Sequence, residues 1–126
     1  MLSMKKLLLL CTIVFIGTVN THAQTMAKNI DAKTFTELAN TKISVIDVRT
    51  ADEVKQGKLE QAVNIDVFTA DFEAEVAKQH PNKNEPIYLY CRSGKRSANA
   101  IKKLEAVGYT NLINVDGGYL AIEAVK

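Results

Sequence analysis

From Thr25 onward, short continuous apolar runs alternate with stretches in which apolar residues return every third or fourth position. The first pattern marks strands buried on both faces, and the second marks amphipathic helices. Residues 43–48 (Ile-Ser-Val-Ile-Asp-Val), 62–65 (Ala-Val-Asn-Ile), 87–90 (Ile-Tyr-Leu-Tyr) and 112–115 (Leu-Ile-Asn-Val) read as strands. The third of these is the richest in β-branched and aromatic residues, which favours a central position in the sheet.

Between the strands the helix signals are equally local. Asp31 is placed to cap a helix reaching about Asn40, with Phe35, Leu38 and Ala39 on one face. Thr50 and Glu53 have capping-box spacing, and Gly57 ends the short helix that follows. A helix beginning at Thr69 or Asp71 turns Phe72, Val76 and Ala77 inward and stops before Pro81. Ala98, Ile101, Leu104 and Val107 recur at helical spacing ahead of Gly108, and residues 119–125 form a short last helix after the turn Asp116-Gly117-Gly118. Strands alternating with helices predict an α/β domain with a mostly parallel sheet.

Residues 1–23 follow a different rule. Lys5 and Lys6 precede an almost unbroken apolar run over residues 7–19, and Thr21-His22-Ala23 approximates a small-x-small cleavage site. A run of thirteen residues is shorter than the ~20 a helix needs to cross a bilayer, so the segment reads as a signal peptide cleaved after Ala23. A lipid-modified Cys11 fits less well, because Leu10 before it is bulky. The expected product is one domain over residues 24–126, exported to the periplasm or the extracellular space, with no membrane association after cleavage.

Loss of that leader changes the charge and the cysteine count. The chain carries 16 Lys and Arg against 14 Asp and Glu, and two of the cations leave with the leader, so the remaining domain is close to neutral. It has no basic excess for nucleic acid or an anionic membrane. Cys11 leaves as well, and Cys91 is then the sole cysteine and His80 the sole histidine, too few for a zinc site built from those residues. No metal is expected. An unpaired thiol in an exported domain is marked as reactive.

Cys91 lies between the third strand and a helix, in Cys91-Arg92-Ser93-Gly94-Lys95-Arg96-Ser97. A buried, inert cysteine is the plain alternative. Against it, three cations crowd a helix N-terminus, where the dipole disfavours them unless an anion sits among them. Converging amides, the dipole and cationic side chains all favour a thiolate. Of the other polar groups, Arg49 and Glu53 are expected to pair with each other, His80 to lie on the surface, Tyr88 and Tyr90 to be core, and Tyr119 to line a pocket mouth.

These residues resemble the single-domain rhodaneses, which are sulfurtransferases. The resemblance is carried by Asp47-Val48-Arg49 with Glu53 and Gly57, by Ala62-Val63-Asn64-Ile65, by the loop from Cys91 to Ser97, and by Val115-Asp116-Gly117-Gly118-Tyr119. Lys58, Glu60-Gln61 and Ile122 stand where rhodaneses often have His, Pro-Gly and a nearby Trp. The resemblance implies a rhodanese-like α/β fold, with a mostly parallel sheet of about five strands and helices on both faces. It also implies that Cys91 takes sulfane sulfur from thiosulfate or a related persulfide donor and passes it to cyanide or a thiol. Arg92, Ser93, Gly94, Lys95, Arg96 and Ser97 would then bind the substrate and the covalent persulfide, with no separate cofactor. A protein sulfur acceptor or reductant is a further expected partner, and the protein is expected to be a monomer.

Two other functions fit the loop less closely. One is a sulfur-carrier or sensing module that exchanges its persulfide only with a protein partner. The other is a phosphatase or arsenate reductase, whose Cys and Arg are separated by five residues in the family pattern, whereas four lie between Cys91 and Arg96. The smaller ring favours sulfur over a phosphoryl group.

Overall fold

A computed structural model describes residues 28–126, so the leader, including Cys11 and the expected cleavage point, lies outside the described residues. The elements are β1 (Lys28–Ile30), α1 (Ala32–Leu38), β2 (Ser44–Asp47), α2 (Ala51–Lys55), β3 (Ala62–Asn64), α3 (Phe72–Gln79), β4 (Ile87–Tyr90), α4 (Lys95–Ala106), β5 (Leu112–Val115) and α5 (Gly118–Ala124). The five strands form one sheet in the order β1-β5-β4-β2-β3. Every pairing is parallel, which requires each connection to cross over a face of the sheet. β4 lies in the middle, as its composition predicts.

Because side chains alternate along a strand, each run splits its apolar residues between two cores. Ile46, Val48, Ile87, Leu89 and Cys91 face Phe72 and Val76 of α3 and Ala100, Ile101 and Leu104 of α4. Val45, Tyr90 and Val115 face Phe35 of α1 and Ile122 of α5, with Leu59 and Ala62 between. Burying a side chain such as Phe35 or Leu104, each fully enclosed, contributes roughly 1.5–3 kcal/mol. Helices on both faces explain why the strands read as continuous apolar runs rather than as alternating ones.

The expected caps form. The Asp31 carboxylate accepts the Thr34 N–H at 2.7 Å, and Thr50 and Glu53 make the reciprocal capping box at the start of α2. Other details differ from the sequence reading. β1 is an additional strand whose exposed Lys28 and Asn29 give it no apolar signature; it exists because β5 offers it a parallel edge.

The inward face of α4 is Ser97, Ala100, Ile101 and Leu104, while Ala98 is half-buried and Val107 is 41% exposed. Ile101 and Leu104 are buried as the spacing predicts, and Ser97 and Ala100, which lie on the same face, complete the stripe in place of Ala98 and Val107. Val107 then falls at the C-cap, beyond the last helical turn. His80 is not a surface residue either. It is half-buried, its Nε2 is enclosed without a hydrogen-bond partner, and its backbone carbonyl accepts the Tyr109 hydroxyl at 2.7 Å. The polar segment around it in sequence conceals this contact from a helix-to-strand turn far along the chain.

Candidate active site

Central strand β4 ends by delivering Cys91, 1% exposed, beneath the loop that leads into α4. Gly94 has φ 107°, a left-handed conformation that a residue with a Cβ rarely adopts, and its N–H points back at the Cys91 Sγ from 2.9 Å. The Ser97 hydroxyl, in the first turn of α4, lies 3.5 Å from the same sulfur. Burial pushes the Cys91 thiol up, but the Ser97 hydroxyl and the N–H groups of Ser97, Gly94 and Ser93 stabilise the thiolate more strongly, and the net shift is downward.

The loop is gripped from outside by α5. The Tyr119 N–H donates to the Cys91 carbonyl at 2.7 Å, and the Leu120 N–H donates to the Arg92 carbonyl at 3.1 Å. The first free amides of one helix thereby take up two loop carbonyls and leave the loop amides to face the sulfur. This close approach is why Gly118 precedes Tyr119. A Cβ at Gly118, where φ is 58°, would run into the carbonyl of Cys91 and the backbone of Arg92.

The cations of the loop divide into two groups. Arg92 and Lys95, like Ser93, are exposed, and Arg92 borders the cleft beside the loop. Arg96 instead turns to α2, where its Nη1 and Nη2 meet the two Glu53 carboxylate oxygens at 2.7 and 2.8 Å. The Arg96 guanidinium holds the Glu53 carboxyl down to about 2, against the upward push of partial burial and with help from the Thr50 cap. The same guanidinium lies 5.9 Å from the Phe68 ring.

The expected pairing of Arg49 with Glu53 is therefore not the one formed. Arg49 binds Asp47, with Nη2 2.7 Å from Oδ2 and Nε 3.0 Å from Oδ1, and both residues are buried. Two residues apart on an extended chain, Asp47 and Arg49 project from one face, so this pair closes locally while Glu53 is taken by Arg96. The same Nη2 also donates to the Gly57 carbonyl at 2.9 Å, and the guanidinium lies 4.1 Å from the centre of the Tyr119 ring. Arg49, Glu53, Gln56, Arg92, Tyr119 and Leu120 line a cleft of about 230 Å³ beside the loop. Tyr119 thus stands where the sequence reading expects it.

Two asparagines to which the sequence reading gives no role of their own complete the surroundings. The Asn64 amide donates to the carbonyls of Asp47 and Arg49 at 2.9 and 2.8 Å, fixing the chain as it leaves β2. Asn114, 8% exposed on β5, accepts the Ser97 hydroxyl at 2.6 Å. Its sequence signal is an amide inside an otherwise apolar strand, which needs a partner once buried. Among the described residues, no three His, Cys, Asp or Glu side chains gather in a way that could hold a metal ion.

Residues 23–124 match the family described as Rhodanese-like domain. A protein named "Sulfurtransferase" from Allochromatium vinosum is 30% identical over 98 residues, covering 76% of this chain and 88% of its own. "Putative sulfurtransferase YtwF" of Bacillus subtilis is 35% identical over 85 residues, covering 68% and 78%. Among solved structures, a rhodanese-like domain protein from Staphylococcus aureus superposes with a TM-score of 0.66 at 31% identity, over 75% of this chain and 90% of that one. An Escherichia coli structure described as "rhodanese with anions" superposes with a TM-score of 0.55 at 30% identity, over 60% and 87%. A five-stranded parallel α/β fold, a loop closed on one cysteine and a family match over nearly all the described residues agree: the chain belongs to the rhodanese-like domain family.

Proposed function

We propose that this protein is a sulfurtransferase that carries sulfane sulfur as a persulfide on Cys91, with thiosulfate as a competent donor. The observation that carries the reading is the Cys91 sulfur held at a strand end by the Gly94 N–H, in a loop whose polar groups favour the thiolate. Relatives named as sulfurtransferases support the general activity.

In the first half-reaction the Cys91 thiolate attacks the outer sulfur of thiosulfate. A bond forms from Sγ to that sulfur, the S–S bond of the donor breaks, and sulfite leaves with the electron pair. The negative charge now rests on the terminal sulfur of the persulfide, among the amides of the loop. In the second half-reaction cyanide or a thiolate attacks the terminal sulfur, and Cys91 leaves as the thiolate. No proton donor is needed in the first half-reaction, since the leaving group and the nucleophile are both anions. Arg92 and Lys95, both exposed, draw the dianionic donor in. Arg96 acts through its pairing with Glu53, holding the loop against α2.

The reading includes export as a monomer after cleavage at Ala23, with a protein acceptor or reductant in that compartment. Sequencing of the secreted chain should begin at Gln24, and a cytosolic protein retaining Met1 would overturn this part. The catalytic reading is tested by intact mass after incubation with thiosulfate. A gain of one sulfur atom, removed by cyanide and absent in Cys91→Ser, is expected. No gain, or a gain that survives Cys91→Ser, overturns it. Persulfide exchange with a protein partner in the absence of thiosulfate turnover would favour the carrier function instead.

A further inference from the structure

Asn114 is the one buried side-chain amide that reaches the loop through β5, where Leu112, Ile113 and Val115 around it are all apolar and buried. Both of its hydrogen bonds go to residues that also bear on the Cys91 sulfur. Its Oδ1 accepts from the Ser97 Oγ at 2.6 Å, and its Nδ2 donates to the Gly94 carbonyl at 3.4 Å. Ser97 is in turn 3.5 Å from Sγ, and the Gly94 N–H is 2.9 Å from it.

We infer that Asn114 is a positioning residue for Cys91, acting by competing with the sulfur for the single proton of the Ser97 hydroxyl. That proton has three acceptors within reach: the Asn114 Oδ1 at 2.6 Å, the Gly94 carbonyl at 3.1 Å and Sγ at 3.5 Å. A neutral thiol is a weak acceptor, so with the thiol protonated the hydroxyl belongs to Asn114. A thiolate is a charged acceptor and draws the proton toward itself. Once the persulfide forms, its charge moves one bond outward to the terminal sulfur, Sγ becomes a weak acceptor again, and the hydroxyl returns to Asn114. The amide thus gives the Ser97 proton a resting place at each stage in which the sulfur next to it is uncharged.

The direction of the effect follows from the distances. The bond from Nδ2 to Gly94 is long, and the Gly94 carbonyl already accepts the Ala98 N–H at 3.2 Å, so losing the amide leaves Gly94 in place. Losing Oδ1, the shortest contact, leaves the Ser97 proton to the Gly94 carbonyl and Sγ, of which the charged thiolate is the stronger acceptor. Asn114→Ala therefore favours the thiolate, and Asn114→Asp, which keeps the shape and puts a charged acceptor at the same point, disfavours it.

The inference rests on Cys91 being the reacting thiol, and its test requires no sulfur transfer. Iodoacetamide labelling of the full chain is followed at Cys91 by peptide mass across pH. Below the thiol pKa, Asn114→Ala should be labelled about threefold faster than the native chain and Asn114→Asp about tenfold slower, as expected for moving one hydrogen bond and adding one charge near a thiolate. In a Ser97→Ala background the Asn114→Ala effect should vanish. An unchanged pH profile in Asn114→Asp, or an equal acceleration by Asn114→Ala with Ser97 absent, overturns the inference. Should Asn114→Ala fail to fold, as shown by loss of a cooperative melt, Asn114→Asp is compared with and without Ser97→Ala: a smaller slowing when Ser97 is absent supports the inference, and an equal slowing overturns it.

Discussion

The two guanidinium nitrogens of Arg96 lie against the two carboxylate oxygens of Glu53, at 2.7 and 2.8 Å, joining the start of α4 to the start of α2 across the sheet end. A planar, two-pronged pair of this kind fixes direction as well as distance. It means that one of the three loop cations has its charge largely answered before any substrate arrives. Arg92 and Lys95 remain exposed, while Arg96 ties the loop to α2.

Acid should loosen that frame. The folded state holds Glu53 at about 2 against an ordinary 4.5, so its contribution is complete above about pH 4.5 and is lost as pH falls through that interval toward 2. The pair meets solvent on one side, which limits the contribution to about 1 kcal/mol. Denaturant unfolding measured at pH 6 and at pH 3 should show a larger stability loss for the native chain than for Glu53→Gln, whose Tm at pH 6 should already be lower. Equal losses in the two proteins would remove Glu53 from this role.

Breaking the second ion pair should cost more. Asp47 and Arg49 are both enclosed, and Asp47→Asn leaves the Arg49 charge between Tyr90 and Tyr119 with only neutral oxygens, the Gly57 carbonyl and the introduced amide carbonyl, to answer it. The expected loss is about 3–5 kcal/mol, measured by urea unfolding. The double change Asp47→Leu with Arg49→Met should cost clearly less than the two single changes added together, since no unpaired charge remains.

The contrast between these pairs shows what the sequence could convey. Strands, caps and the reactive loop rest on neighbours within a few residues, and these are legible: Thr50 with Glu53, the run 87–90, and Cys91 ahead of Gly94. Contacts that bridge distant segments are not. Glu53 has a near cation in Arg49, yet it pairs with Arg96 43 positions away, because β4 and β2 are neighbours in the sheet and bring their following helices together. Asn114 is a single letter in an apolar strand until β5 is set beside β4 and Ser97 comes within reach. β1 carries no signal of its own, being defined by the edge it completes.

His80 predicts a second, milder pH dependence. Burial pushes its imidazole below the ordinary value of 6.5, with Glu85 opposing weakly, so the folded state prefers the neutral ring. The unfolded chain then binds more protons just below pH 6.5, and stability should decline as pH falls through that region toward the depressed folded value. Melting temperatures recorded from pH 7.5 to 5 should fall for the native chain and stay flatter for His80→Gln. A native melt that is level across this range would show that the enclosed Nε2 is tolerated in its protonated form.

Two glycines of the loop region should differ in what an added methyl does. At Gly94 a Cβ has room, its nearest neighbour being the Gly117 N at 3.5 Å, so the penalty of Gly94→Ala comes from φ 107° alone. Strain of that kind costs about 1–3 kcal/mol and can be relieved by turning the peptide, which would swing the N–H away from Sγ. Gly94→Ala should therefore fold, with a lower Tm and a raised Cys91 pKa. At Gly118 the methyl meets the carbonyl of Cys91 and the backbone of Arg92, neither of which can move without breaking the Tyr119 and Leu120 bonds that hold the loop to α5. Gly118→Ala should lose persulfide formation from thiosulfate and be the less stable of the two by thermal melting. If Gly118→Ala instead retained native labelling of Cys91 and a native melt, the grip of α5 on the loop could not be what sets the sulfur in place.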